Sequence, residues 1–200
     1  MNILFSFVLA TIVAATAPAE AEQKVSLPEE FTLNLDFKAG WPFEEYCRKT
    51  SEQNLAKGDT YTYVYEYEVD GKKASEEFKF LIYGNKTNYK YLKGTGDGVK
   101  TLRPDPKSAT SRITLPAVPG RYLKSVTLHV CNAHSKRFAI VDSKTWKVIA
   151  ESEGSTSSSP ATITFPTAGV STQPGKPYYM RLIDTNMLVS GVTLVYSSTL

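Results

Sequence analysis

Apolar and polar residues alternate along most of the chain beyond its first 21 residues, which is the pattern of strands that bury one face. The clearest run is 61–69, where four tyrosines share one face and Glu66 and Glu68 lie on the other. Only Val64 interrupts this alternation. A half-buried strand is therefore predicted here.

The dipeptide Asp70-Gly71 separates this run from a second alternating run at 77–83. Asp-Gly between two alternating runs is a strong hairpin signal, because a type I′ turn needs positive φ at both central residues. We therefore predict a hairpin of strands 61–69 and 77–83.

The rest of the chain repeats this arrangement of short apolar runs separated by turn residues. No segment after residue 21 keeps a helical period for three turns. Many short strands separated by regular turns are typical of a sandwich or barrel. The prediction is an all-β antiparallel β-sandwich with jelly-roll connections. Its further strands are expected at 112–116, 123–131, 137–142, 146–151, 161–165, 178–184 and 188–196.

The first residues differ from this pattern. An apolar run from Ile3 to Val13 precedes two A-x-A cleavage options that end at Ala19 and Ala21. We expect residues 1–21 to be a signal peptide and residues 22–200 to form a single β-sandwich domain. The apolar run is too short to cross a bilayer, so no membrane span is expected after its removal. The predicted location is the periplasm, the cell surface or the exterior.

Charge and cysteine content narrow the possible partners. The net charge is only +3 and the lysines are scattered, whereas nucleic-acid binding normally requires a concentrated basic patch. We therefore expect no nucleic-acid partner. Cys47 and Cys131 are the only cysteines. They either pair in an oxidising compartment or remain two separately buried thiols, because the sequence does not give the Cα separation that a disulfide needs.

Two sets of polar residues could carry chemistry. Glu66, Glu68 and Asp70 share one strand face, as the acid pair of a jelly-roll glycosidase would. Such enzymes also need aromatic residues on that face, and here the tyrosines alternate onto the opposite one, so a solvated strand face is the favoured interpretation. His129 and His134 have no evident third partner for a metal site, and both are expected at the surface.

The glycine-rich segment Gly94–Gly98 is interpreted as a turn. It lacks the following lysine and the helix N-terminus that a phosphate-binding loop uses. A calcium site there would rest on the single carboxylate of Asp97. The chain also lacks the G-x-S-x-G and H-E-x-x-H signatures of hydrolases. We predict no cofactor and no enzymatic activity.

Aromatic residues near turns are the best candidates for ligand contacts. Trp146, Trp41, Tyr89 and Tyr91 lie at or near predicted turns, where sugar-binding proteins place stacking platforms. The alternative is that each ring packs across an end of the sandwich. For Trp146 a turn at 143–145 and a solvent-facing Lys147 are predicted, which makes it the first candidate.

The C-terminal half resembles a known family. The segments that carry the resemblance are Arg112–Gly120, Leu123–Leu128, Asn132-Ala133, Phe138–Ile140, Tyr178–Met180 and Val192–Tyr196, with Trp41–Phe43 as a weaker match. In them a strand ends in Pro, a Pro-Gly turn follows, and a Thr/Val strand leads to Asn-Ala. This arrangement is similar to that of secreted β-sandwich proteins of Gram-negative gut bacteria. The resemblance implies a galactose-binding-like jelly roll and no catalytic residue.

Together these observations predict a non-catalytic binding module of the cell envelope or exterior, with a glycan as the expected partner. The first alternative is a structural or adhesive surface protein that binds another protein. A small glycosidase is the third alternative and is disfavoured, since no acid pair lies beside an aromatic platform.

Overall fold

A computed structural model describes residues 25–36, 59–83, 112–132, 137–156, 159–183 and 188–200. Every regular element in these ranges is a β-strand. The strands are β1 (Glu30–Asp36), β2 (Asp59–Val69), β3 (Lys72–Tyr83), β4 (Arg112–Leu115), β5 (Tyr122–Asn132), β6 (Phe138–Asp142), β7 (Val148–Glu151), β8 (Ala161–Thr164), β9 (Tyr178–Leu182) and β10 (Leu188–Ser197).

The strands form two antiparallel sheets. One has four strands in the order β1-β10-β5-β8, and the other has six in the order β2-β3-β4-β9-β6-β7. The predicted all-β antiparallel sandwich is therefore confirmed, whereas its jelly-roll connections stay a prediction. No helix that could span a bilayer occurs in the described part of the chain.

The inner faces of the two sheets share one hydrophobic core. Phe31 of β1 connects them, because its ring centroid lies 5.5 Å from that of Phe78 in the six-stranded sheet and 5.5 Å from that of Tyr196 in its own sheet. Tyr196 is buried in this core, and its hydroxyl donates a hydrogen bond of 2.9 Å to the carbonyl oxygen of Pro116. Burial raises the pKa of Tyr196 far above its ordinary value, so the phenol stays protonated.

Strand β1 is absent from the strands predicted from the sequence. Phe31, Leu33 and Leu35 nevertheless alternate with polar residues, and all three are buried. The strand pairs with β10 over its whole length, from Glu30 opposite Ser197 to Asp36 opposite Gly191. Its period-two pattern was a sufficient signal, although residues 37–58 after it show no clear alternation in the sequence.

The predicted hairpin is confirmed and is longer than expected. Strands β2 and β3 pair from Val69 opposite Lys72 to Asp59 opposite Ile82. The two turn residues have positive φ, +52° at Asp70 and +74° at Gly71, as a type I′ turn requires. The described strands after it agree with the predicted ones within a few residues at each end.

The predicted facing of several side chains is also confirmed. Val126 and Leu128 are fully buried, and His129 between Leu128 and Val130 is exposed. The four tyrosines of β2 face inward and are half-buried, while Val64 points outward. Cys47 and His134 lie outside the described residues, as does the side chain of Cys131, so the disulfide stays a prediction.

The hairpin turn yields a stability prediction. A Cβ at position 71 would meet no atom within 4 Å, so a substitution there acts through the backbone alone. Gly71→Val should lower the free energy of unfolding by about 1–2 kcal/mol, because a β-branched residue strains at positive φ. Gly71→Asn is the control and should cost less, since Asn tolerates this conformation. Equal denaturation midpoints for the two variants would contradict the assignment.

Candidate ligand-binding site

The outer face of the six-stranded sheet carries a transverse row of mostly apolar side chains. Cross-strand pairing places Leu81 opposite Thr114, Thr114 opposite Tyr179, Tyr179 opposite Val141 and Val141 opposite Val148. Five of the six sequence neighbours of the three central residues belong to the hydrophobic core, the exception being Asp142, so the row itself faces outward. Five neighbouring strands thus contribute one side chain each.

This row is partly open to solvent. Val148 is 41% exposed and Leu81 is 36% exposed, so an apolar surface is available at both ends. Val141 in the same row has no exposed surface and is not part of the main core. Neighbouring side chains on the outer face must therefore cover it, which makes a second, smaller apolar layer on this side of the sheet.

Trp146 packs against Tyr179 of this row, and Arg112 of β4 contacts both rings. The ring centroids of Trp146 and Tyr179 are 5.0 Å apart with the planes inclined by 54°. The guanidinium carbon of Arg112 is 4.8 Å from the Trp146 ring centroid and 4.7 Å from that of Tyr179. Aromatic and cation–π contacts of this kind fix the indole in place. Trp146 nevertheless stays 47% exposed.

The turn that presents Trp146 is held by Asp142 at the end of β6. Its carboxylate oxygen Oδ1 accepts hydrogen bonds from the backbone amides of Lys144 at 2.9 Å and Thr145 at 3.0 Å. The backbone of Asp142 adds two bonds of 2.9 Å, accepting from the amide of Trp146 and donating to the carbonyl oxygen of Lys147. The side chain of Asp142 thus supplies the hydrogen-bond acceptor for two amides of the turn, which is the usual role of Asp in turns.

A second residue fixes the other oxygen of this carboxylate. Lys176 donates a hydrogen bond to Oδ2 of Asp142, and the two side chains are only 23% and 11% exposed. The hydrogen bond from Lys176, aided by the turn amides, holds the pKa of Asp142 well below its ordinary value. The same bond raises the pKa of Lys176. The turn is thus anchored by an ion pair that connects it to the chain just before β9.

The backbone of Trp146 is in the left-handed region, with φ of +60°. This conformation costs a non-glycine residue roughly 1–2 kcal/mol and is an outlier for a bulky side chain. Gly or Asn would fit the position with less strain. Trp146 therefore combines a large, half-exposed ring with a backbone conformation that other residues adopt at lower cost.

Of the four aromatic residues predicted to contact a ligand, only Trp146 lies among the described residues. Trp146 is at the predicted turn, with Lys147 exposed after it. Trp41, Tyr89 and Tyr91 lie outside the described residues, so whether they join Trp146 stays open to test.

Arg112 and Tyr179 complete the cluster, and the sequence analysis did not assign them to the site. The sequence analysis predicted the strands that carry them, at 112–116 and 178–184, but not which face either side chain occupies. Their proximity to Trp146 depends on the strand order β4-β9-β6-β7, which no local pattern shows.

Other polar groups are also located by the structure. Glu66 and Glu68 are exposed on β2, and Asp70 is exposed in the hairpin turn. The imidazole Nε2 of His129 is 2.9 Å from the Thr193 hydroxyl oxygen. That hydroxyl donates a hydrogen bond to the side-chain oxygen Oδ1 of Asn34 on β1. Within the described ranges, no group of three or more His, Cys, Asp or Glu side chains converges as metal ligands would.

Comparison with known proteins adds no assignment: no family model matches the chain, and no curated protein matches it significantly. The resemblance to secreted sandwich proteins therefore stays an expectation.

The Asp142–Lys176 ion pair yields a pH prediction. Because the folded-state pKa of Asp142 is lowered, its contribution to stability is complete above the ordinary carboxyl pKa and is lost as the pH falls toward the folded pKa. Asp142→Asn should be less stable than the wild type at neutral pH, and the gap should narrow between about pH 5 and pH 2. Asn can still accept the turn amides, so the comparison isolates the charge.

Urea denaturation at a series of pH values measures this gap. Lys176→Met is the matched variant, since it removes the other half of the ion pair and should show the same narrowing. A gap that stays constant down to about pH 2 would show that the pair does not stabilise the fold.

Proposed function

We propose that this chain is a non-catalytic binding module of the cell envelope or exterior, and that its ligand is a carbohydrate. The observation that carries the proposal is Trp146: a half-exposed indole at a strained backbone position, braced by Tyr179 and Arg112. A rigid aromatic platform suits the apolar face of a sugar ring, because stacking requires no reorganisation of the protein.

The surrounding surface supports an extended ligand. The row from Leu81 to Val148 crosses five strands of one sheet and leaves an apolar side chain exposed at each of its two ends. A polysaccharide chain long enough to span several sugar units could contact both ends together with the indole. Strand-borne positions are also more rigid than loop-borne ones, which favours repeated, regular contacts.

A protein ligand is the second candidate function. Trp, Tyr and Arg are the residues most enriched among binding hot spots, and here one of each forms a single cluster. The exposed apolar side chains Leu81 and Val148 would fit such an interface as well. A structural or adhesive role at the cell surface remains the alternative proposal on this ground.

The stability of a Trp146 variant separates a ligand contact from a packing residue. Trp146→Gly relieves the positive φ and removes the ring contacts, so the free energy of unfolding should change by no more than about 1 kcal/mol. A core tryptophan would instead cost about 3–5 kcal/mol on truncation. Thermal and urea denaturation measure the difference, and a loss in the larger range would retire Trp146 as a ligand contact.

Binding measurements on the same variant test the function itself. A glycan array with the purified chain should identify a bound polysaccharide, and Trp146→Gly should weaken that binding severalfold or more, since stacking contributes roughly 0.5–1.5 kcal/mol beyond area burial. Val64→Ala is the matched control, because Val64 is 53% exposed on the outer face at the opposite edge of the same sheet. Equal losses for both variants, or no glycan bound, would contradict the proposal.

A further inference from the structure

The six-stranded sheet is electrically asymmetric from one edge to the other. The β2–β3 hairpin, residues 59–83, carries six Asp or Glu residues against three Lys. Among the described residues, the Trp146 half of the sheet has the opposite balance, with six Lys or Arg against three Asp or Glu. Its basic residues are Arg112, Arg137, Lys144, Lys147, Lys176 and Arg181, and its acidic residues are Asp142, Glu151 and Glu153. The small net charge of the chain thus conceals two edges of opposite sign.

Two of these three acidic residues are already paired with a basic side chain. Asp142 is paired with Lys176, and Glu151 is paired with Arg137 at 3.3 Å. Lys144 and Lys147, on either side of Trp146 in the turn, are exposed and form no ion pair within the described residues. Two ammonium groups therefore flank the exposed indole, and no carboxylate in the described part of the chain is paired with either of them.

We propose that the Trp146 site takes an acidic polysaccharide, with the indole stacked on a sugar ring and Lys144 and Lys147 in contact with its carboxylate or sulfate groups. This inference rests on the proposed carbohydrate function and specifies its ligand class. The indole supplies an interaction that any sugar ring can make. The lysines supply the discrimination, since charges at the rim of a site act mainly on specificity and on the rate of association.

The acidic hairpin at the other edge fixes where the ligand lies. The outer face of the hairpin carries exposed Glu66, Glu68 and Glu77 against exposed Lys73 and Lys79, so a polyanion that extended across the whole sheet would meet no net positive charge there. The favourable footprint is restricted to β4, β9, β6 and β7. An acidic chain is therefore held on the half of the sheet that carries the aromatic cluster.

Matched pairs of polysaccharides test the inference with the full chain. Polygalacturonate is compared with the same polymer after reduction of its carboxyl groups, and dextran sulfate is compared with dextran. The first pair tests carboxylates and the second tests sulfates, so the source of the negative charge is identified. Affinity is measured by titration calorimetry at low and at high salt.

We expect at least one acidic polymer to bind about tenfold more tightly than its neutral counterpart at about 50 mM salt, with most of that preference lost at about 0.5 M salt. Lys144→Gln combined with Lys147→Gln should reduce the preference about fivefold, as expected for two exposed charge contacts. Lys72→Gln combined with Lys73→Gln removes the same charge from the acidic hairpin and should change the preference less than about twofold.

The contrary outcomes are distinct. If the neutral polymers bind as tightly and Trp146→Gly abolishes that binding, the carbohydrate function stands and the acidic ligand class is wrong. If no polysaccharide binds, both are wrong. Tighter binding to a single-stranded DNA homopolymer than to any polysaccharide would also overturn the inference, because aromatic stacking with flanking lysines suits nucleic acid as well. Circular dichroism of each variant confirms that it is folded.

Discussion

The two sheets each have one apolar face, and every other feature of this molecule depends on burying those faces against one another. Burial of apolar area is the dominant favourable contribution to folding, and here it is concentrated between the sheets. Phe31 shows the constraint most directly, since its ring contacts Tyr65 and Phe78 across the interface and Tyr196 within its own sheet. The inner positions of the strands are thereby committed to stability, and the outer positions are left for other uses.

Those uses differ between the two outer faces. On the four-stranded sheet, Thr127 and Thr162 bond to each other across β5 and β8 at 3.0 Å, and His129 contacts Thr193 in the same manner, so the surface is polar and its groups satisfy one another. On the six-stranded sheet, the outer face carries the apolar row from Leu81 to Val148, and Tyr179 of that row packs against Trp146 and Arg112. This second face therefore exposes large apolar side chains to water, namely Leu81, Trp146 and Val148. Exposed apolar patches of this kind often mark binding surfaces.

Local patterns were sufficient for much of the fold. Period-two alternation and Asp70-Gly71 predicted the hairpin, because side-chain facing and turn geometry are set by neighbours in sequence. The same kind of signal predicted the turn before Trp146. The same signal is present in β1, where Phe31, Leu33 and Leu35 alternate with polar residues.

The binding cluster could not be predicted in this way. Arg112 and Tyr179 are separated from Trp146 by more than thirty residues in each direction, and only the strand order brings them together. Strand order is set by packing of the whole core, which a local pattern does not encode. The positive φ of Trp146 also has no signal in the residues around it. The ion-pair partner of Asp142 is distant in sequence, because Lys176 comes from the chain just before β9.

The central claim is that the exposed indole of Trp146 is where the ligand is bound, and fluorescence tests it most directly. Trp146 and Trp41 are the only tryptophans, so Trp41→Phe leaves Trp146 as the single reporter. In the free protein its emission should be readily quenched by acrylamide, as its exposure requires. On titration with the polysaccharide that the chain binds, the emission should shift and become protected from the quencher, with a midpoint equal to the calorimetric Kd. Emission and quenching that stay unchanged at saturating ligand would contradict the account.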